Sequence, residues 1–318
     1  WRKDMRDALM KSLFVLAEKD SNLMLLTGDL GYGVFEEFEK KYPKQYLNVG
    51  VAEQNMMGVA AGLALEGKII FTYSIGNFPT LRCLEQIRND ACYHELNINI
   101  IATGGGFSYG GLGMSHHATE DIAIMRALPG ITILAPSTSD ESEAGVLNLY
   151  KANGVGYLRL DKSKFENTKS IEDISVGNAN VLRRGSDITL IVVGGIAEEA
   201  MKAAEILSDS NIECRVLSLY SVKPIDIDAI KSACKETYGI VTIEEGNIAG
   251  GMGAVISETC MDHGLKPRIF SRLGLNNEYS SVVGSQSYLR AYYKFDFKNI
   301  VSRVKFLIDN QKQANEPV

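Results

Sequence analysis

The residues best suited to chemistry lie in loops that follow strand-like runs of the chain. Glu53 comes after a short strand-like run and a glycine turn, at the start of a helical pattern. That pattern is apolar on all sides over residues 56–65, which predicts a buried helix. A buried carboxylate is costly unless it has a dedicated partner, so Glu53 is a candidate site residue. Alternatively it only caps the helix, because carboxylates favour the positive helix end.

A second loop, residues 73–79, follows the next strand-like run and contains Tyr73 and Phe78. Phe78 lies just before the next helical pattern, at the same predicted end of the sheet as Glu53. Taken alone, Phe78 is more simply interpreted as a core aromatic or as a hydrophobic contact where the helix begins. Its place beside Glu53 keeps it as a candidate.

The third loop, residues 103–121, has six glycines within ten residues and ends in His116 and His117. The dinucleotide pattern G-x-G-x-x-G and the Walker pattern Gly-Lys-Ser/Thr are both absent. Adjacent histidines usually point apart, and no third ligand is evident, so we predict no metal site here. A proton-transfer or phosphate-contact role fits the two histidines better.

Two further segments contain charged residues beside apolar runs. The first is the strand-like run 156–160, which contains Arg159. A guanidinium inside such a run is costly unless it meets an anion. That anion is either a bound ligand or a carboxylate of the chain itself. The glycine-containing loop 244–253 shows no nucleophile or base pattern, so we expect it to pack helices or to contact another subunit.

The elements that must position these loops alternate between short apolar runs and helical patterns. This alternation predicts parallel sheets covered by helices. A polar stretch interrupts it and indicates a linker with one short strand. We therefore predict two doubly wound α/β domains with mostly parallel sheets, at 1–165 and 186–318, joined by a linker at 166–185. Ligands of such sheets bind at the carboxyl ends of the strands, where these loops lie.

Composition excludes several other classes of protein. The 318 residues are 45% apolar and 23% charged, which excludes disorder, collagen and coiled coil. The net charge of −6 argues against binding to nucleic acid or to an anionic membrane. No apolar run reaches the ~18 residues of a membrane helix. Five cysteines without a C-x-x-C pair favour a reducing compartment, so we expect a cytoplasmic protein.

Taken in order, these segments resemble the C-terminal section of the transketolase family. The resemblance is carried by NVGVAEQNMMGVAAG at 48–62, HHATED at 116–121 and RALPGI at 126–131. The family uses thiamine diphosphate, and its full-length members have a diphosphate-binding, a pyrimidine-binding and a C-terminal domain. This chain resembles the last two, because the Gly-Asp-Gly…Asn magnesium motif is missing. The resemblance implies the small subunit of a split transketolase.

In such an enzyme a companion N-terminal subunit brings the diphosphate site and its Mg²⁺ or Ca²⁺, as an α2β2 heterotetramer. By resemblance, Glu53 is catalytic and holds N1′ of the aminopyrimidine ring. Phe78 matches the aromatic residue that stacks on this ring, with Tyr73 as the alternative. Asp29 matches an aspartate near the thiazolium side of the cofactor.

The resemblance also assigns residues to the substrate. His116 matches a catalytic histidine that faces the sugar or its phosphate, and His117 is the alternative. Arg159 matches an arginine that binds the substrate phosphate. The implied reaction moves a two-carbon ketol unit from a ketose phosphate to an aldose phosphate. A 2-oxoacid dehydrogenase β subunit, a 1-deoxyxylulose-5-phosphate synthase-like enzyme and a catalytically silent scaffold or regulatory subunit are the alternatives.

Overall fold

The computed structural model describes residues 4–163, 165 and 170–314. Its first sheet has seven strands in the spatial order β10-β5-β6-β4-β3-β1-β2. All neighbours in this sheet run parallel except β10, which pairs antiparallel with β5. The strands are β1 (Leu23–Thr27), β2 (Tyr46–Asn48), β3 (Ile69–Ile75), β4 (Ile98–Thr103), β5 (Ile131–Leu134), β6 (Val155–Leu160) and β10 (Ser221–Lys223).

The second sheet has five strands in the order β12-β11-β8-β9-β7. It is parallel except for β7, which lies antiparallel to β9 at one edge. The strands are β7 (Asn180–Arg183), β8 (Ile188–Val192), β9 (Cys214–Ser218), β11 (Gly239–Asn247) and β12 (Ile269–Leu275). The predicted fold of two α/β domains with mostly parallel sheets is confirmed.

Helices cover the sheets, and this explains why central strands are buried along their whole length. Every residue of β4 and β6 is buried, as expected for parallel strands covered on both faces. The helices are α1 (Met5–Lys19), α2 (Glu36–Lys41), α3 (Glu53–Leu65), α4 (Leu84–Gln86), α5 (Asp121–Arg126), α6 (Ser139–Lys151), α7 (Ala197–Ser208), α8 (Ile227–Glu236), α9 (Met252–Asp262), α10 (Gln286–Tyr292) and α11 (Phe297–Ala314).

The segment between the two sheets is attached to both domains. Of the predicted linker, residues 166–169 lie outside the described residues. Ile174 packs into the core of the first domain, whereas β7 already belongs to the second sheet. Conversely, β10 comes from the second half of the chain and extends the first sheet. The two halves therefore share backbone pairing as well as side-chain contacts.

Two helical predictions need correction. Helix α3 is buried on one side only, and its other face exposes Gly58 and Gly62. A helix with apolar residues on all sides can be fully buried in its own chain, or it can expose one face of small residues. The amino-acid composition alone does not distinguish these two cases. The segment predicted as one helix after Phe78 begins as a 3₁₀ turn, Leu81–Cys83, and ends as a π-helix, Ile87–Cys92. Such π segments are frequent at functional sites.

Within the part of the chain that the structure describes, no helix is long and apolar enough to cross a bilayer.

Candidate active site

Glu53 is the first residue of α3, and its side chain is 1% exposed. The Ser74 hydroxyl of β3 donates to Glu53 Oε1 at 3.3 Å, which is a long hydrogen bond. Arg82 Nη1 donates to Glu53 Oε2 at 2.6 Å. The carboxylate therefore points toward the carboxyl ends of the strands, as its place in the sequence predicted. Glu53 also lines a cavity of about 370 Å³ beside the start of α3.

Phe78 lies close to this carboxylate and to one of the histidines. Its half-buried ring is 5.2 Å from the ring of His116, centroid to centroid, in an edge-on arrangement. The guanidinium carbon of Arg82 lies 4.4 Å from the centroid of the Phe78 ring. Arg82 thus contacts both Glu53 and Phe78. The sequence analysis missed Arg82, although a cation four residues after Phe78 was a usable signal.

Tyr73 does not face this site. Successive side chains of a strand point to opposite faces, so Ser74 meets Glu53 while Tyr73 points into the core. Its buried ring packs edge-on against Phe35 at 4.7 Å. Burial raises the pKa of the Tyr73 hydroxyl to about 12. Of the two predicted aromatic residues, only Phe78 is connected to Glu53, through their shared contact with Arg82.

Asp29 lies at the same edge of the sheet, just after β1. Its backbone φ of 58° is left-handed, which carboxylate and amide residues tolerate better than most. The Asn48 side chain holds this turn, because it donates to Asp29 Oδ1 and accepts from the Asp29 backbone amide, both at 3.0 Å. A Cβ added at the preceding Gly28 would lie 3.6 Å from Glu53 Oε1. The turn therefore passes directly beside the carboxylate.

The two adjacent histidines have different surroundings. His116 is partly exposed beside Phe78, and its Nδ1 lies 3.0 Å from the Ser115 hydroxyl. His117 is 1% exposed, with its Nε2 at 3.1 Å from the carbonyl oxygen of Gly110. The structure thus brings His116 to the site and places His117 inside the glycine-rich loop.

Arg159 is enclosed by the protein, with its side chain 2% exposed. Its Nε donates to Asp121 Oδ2 at 2.8 Å, and its Nη2 donates to the carbonyl oxygens of Ala118 and Glu245 at 3.1 and 3.0 Å. Of the two anions considered for Arg159, a bound ligand or a carboxylate of the chain, this arrangement favours the carboxylate. Arg159 ties the glycine-rich loop to the second domain.

Two other cations lie nearer the surface of the same edge. Lys162 Nζ is 3.7 Å from the centroid of the Tyr109 ring, and that ring is 6.3 Å from the ring of His116. Burial and the nearby charge of Arg6 lower the pKa of Lys162. Neither Lys162 nor Arg6 forms an ion pair among the described residues. Arg6 also lines a larger cavity, about 730 Å³, to which Glu53 does not contribute.

The predicted helix-packing loop of the second domain contains two buried carboxylates. Glu244 accepts from the backbone amides of Met252 and Gly253 at 2.8 and 2.9 Å, at the start of α9. Burial raises the pKa of Glu244 to about 7. Glu245 pairs with Arg290 and also accepts from the backbone amide of Phe107 at 3.2 Å. The loop therefore anchors α9 and the glycine-rich loop, which fits the packing prediction.

The described residues contain no group of three or more His, Cys, Asp or Glu side chains that could hold a metal ion.

Comparison with protein families identifies the relationship. Residues 2–167 match the pyrimidine binding domain of transketolase, and residues 177–300 match the transketolase C-terminal domain. The chain belongs to the transketolase family. The resemblance predicted from the three segments is confirmed.

Individual relatives place the chain among split members of the family. It is 35% identical over 95% of both chains to a protein from Methanocaldococcus jannaschii described as a transketolase C-terminal section. It is 33% identical, over 94% of both chains, to one subunit of an apulose-4-phosphate transketolase from Phocaeicola vulgatus. A solved split-gene transketolase, described as an inactive β4 tetramer, superposes with a TM-score of 0.83 at 31% identity and covers 96% of this chain and 98% of its own. These relatives confirm the prediction of a split transketolase subunit, a transferase.

The residues present fit the thiamine diphosphate on which the family depends. A buried carboxylate and a half-buried aromatic ring suit the edge and the face of an aminopyrimidine. The Arg82 guanidinium, which is planar and rich in N–H donors, contacts both the Glu53 carboxylate and the Phe78 ring.

Proposed function

We propose that this chain is the pyrimidine-binding and C-terminal half of a thiamine-diphosphate-dependent ketol transferase. A companion N-terminal subunit completes the site with the diphosphate pocket and Mg²⁺ or Ca²⁺, in an α2β2 heterotetramer. The observation that carries the proposal is the buried Glu53 carboxylate, which lines a cavity and is connected to the Phe78 ring through Arg82. Sugar phosphates are cytoplasmic metabolites, so we place the complex in the cytoplasm.

When bound, thiamine diphosphate supplies the nucleophilic carbon and the electron sink that this reaction needs. Glu53 would hold N1′ of the pyrimidine by a hydrogen bond, and burial would keep water from competing for that bond. Phe78 would support one face of the ring. Asp29 would face the thiazolium side. His116, next to Phe78, holds or moves a proton on a substrate oxygen.

The substrate phosphate calls for a cation that is exposed at the site. Lys162 and Arg6 are exposed cations that lie near each other, and neither forms an ion pair among the described residues, although the Asp161 carboxylate also acts on Lys162. Arg159 and His117, the residues first assigned to the phosphate, are enclosed by the protein. We therefore propose Lys162 and Arg6 as the phosphate anchors in their place.

A second candidate activity has its own support. The chain is 31% identical over 92% of its length to a 1-deoxy-D-xylulose-5-phosphate synthase from Desulforudis audaxviator, of which it spans 46%. Decarboxylation of pyruvate by the assembled complex would favour this candidate, or a 2-oxoacid dehydrogenase, over ketol transfer.

The test is to purify the chain, mix it with its companion subunit and follow ketol transfer from a ketose phosphate to an aldose phosphate. We expect activity that requires both subunits and thiamine diphosphate. Appreciable ketol transfer by this chain alone would refute the proposal that the active site needs a companion subunit. An assembled complex that binds the cofactor but turns over no donor would favour the silent-subunit alternative.

A further inference from the structure

Arg82 lies between the two groups that the proposed function gives to the cofactor ring. Its Nη1 donates to Glu53 Oε2 at 2.6 Å, and its guanidinium carbon lies 4.4 Å from the Phe78 ring centroid. The guanidinium thus donates to the carboxylate and also lies over the aromatic ring. An aminopyrimidine would meet the same two groups, with N1′ accepting from the Glu53 carboxyl and one face of the ring against Phe78.

Without a ligand, the Glu53 carboxylate needs such a contact. Glu53 is 1% exposed, and an isolated buried carboxylate is strongly unfavourable. Ser74 offers only a 3.3 Å hydrogen bond, and Arg82 is the one cation that pairs with Glu53 in the described part of the chain. Arg82 therefore offsets the cost of keeping this carboxylate buried before any ligand arrives.

Arg82 is also free to leave. Its side chain is 45% exposed, so its charge is already partly hydrated and little is lost when it moves into water. It belongs to the 3₁₀ turn Leu81–Cys83 and not to a long regular helix. The cavity of about 370 Å³ that Arg82 and Glu53 line gives the guanidinium room to swing out.

We propose that Arg82 is a displaceable stand-in for the cofactor's pyrimidine ring, and that its departure from Glu53 and Phe78 is part of cofactor binding. This proposal rests on the proposed function. It makes Arg82 a positioning residue, which keeps the Glu53 carboxylate in place while the site is empty. It also means that Arg82 and the cofactor compete for the same place.

Competition of this kind lowers the apparent affinity by the fraction of molecules in which the site is open. The test is the dissociation constant of thiamine diphosphate, measured by calorimetry on the complex with the companion subunit. We expect Arg82→Met to bind about tenfold more tightly than the unchanged complex, since an occupancy of nine-tenths by Arg82 costs that factor. The dissociation constant of Arg82→Lys should lie between that of Arg82→Met and that of the unchanged complex. The control Arg88→Met, an exposed arginine of the same segment, should leave the constant unchanged.

Weaker binding by Arg82→Met would show that Arg82 holds the cofactor, and an unchanged constant would show that it does not compete; either result overturns the proposal. A crystal structure of the unchanged complex with bound cofactor tests the same point without any variant. We expect Arg82 to lie beyond hydrogen-bonding distance of Glu53 there, and an intact ion pair would contradict us. If the unchanged complex binds no thiamine diphosphate, the proposed function itself has failed.

Discussion

The guanidinium of Arg159 and the carboxylate of Asp121 lie 2.8 Å apart, and both side chains are 2% exposed. The hydroxyl of Tyr157 donates to the same carboxylate at 2.6 Å. Removing one partner of such a pair leaves a buried charge uncompensated. This pair links the end of β6 to the start of α5, below the glycine-rich loop.

We therefore expect Arg159→Met to lower the free energy of unfolding by about 3 kcal/mol or more. Chemical denaturation of the isolated chain measures this change. The exposed control Arg88→Met should stay within about 0.5 kcal/mol of the unchanged protein. If Arg159→Met were fully stable and lost only its affinity for phosphorylated sugars, Arg159 would be a phosphate ligand after all.

Glu53→Gln should lower the turnover of the reconstituted complex by about 10²–10⁴-fold, the range expected for a group that assists proton transfer. Glutamine keeps the size of the side chain but cannot share a proton with N1′. Ketol transfer under saturating cofactor is the measurement. Glu66→Gln, an exposed residue just after α3, serves as the control. Equal turnover by the Glu53 variant and the unchanged complex would remove the catalytic assignment.

Phe78→Ala should weaken cofactor binding about tenfold, because stacking of a base on an aromatic ring contributes roughly 1–3 kcal/mol. Tyr73→Phe removes only a hydroxyl from the core, and we expect it to change the dissociation constant less than twofold. Calorimetry on the assembled complex gives both constants. The opposite pattern would mean that Tyr73 reaches the ring and that Phe78 serves packing alone.

Lys162→Met should raise KM for a sugar phosphate by about 10–100-fold, since hydrogen bonds to charged groups contribute about 1.5–3 kcal/mol. The same variant should leave kcat/KM for an unphosphorylated sugar nearly unchanged, because only the phosphate contact is lost. Steady-state kinetics with the two sugars separate these effects. Lys44→Met is an exposed control. Equal losses with both sugars would argue against a phosphate contact.

The pH dependence of stability should carry a contribution from Glu244. Burial raises its pKa from 4.5 to about 7, so between these values the folded chain holds a proton that the unfolded chain has released. The free energy of unfolding therefore falls as pH rises through this window, by roughly 3 kcal/mol at most from this group. Glu244→Gln cannot titrate and should flatten the slope, whereas the exposed control Glu205→Gln should not. The measurement is denaturation at several pH values from 4.5 to 7. If the free energy of unfolding depended on pH equally in Glu244→Gln and in the unchanged chain, the assignment would be wrong.

Much of the architecture could be predicted because parallel strands buried on both faces have a distinctive pattern. β4 and β6 are mostly apolar and are buried along their length, and α6 between them begins with a Thr138 side-chain cap. Short β10 was missed, since three residues carry no periodic signal and their pairing partner lies about ninety positions earlier in the chain.

The sequence by itself determined the family, the alternation of strands and helices, and the place of Glu53 at the start of α3, because these depend on local pattern and on motif order. Only the tertiary structure decided which neighbours each polar side chain meets. Strand register turned Tyr73 into the core and Ser74 toward Glu53. The start of α5, 38 residues earlier in the chain, supplied Asp121 to Arg159, and β11 supplied a carbonyl oxygen. Whether a buried charge binds a ligand or another residue depends on such long-range contacts, which spacing along the chain does not encode.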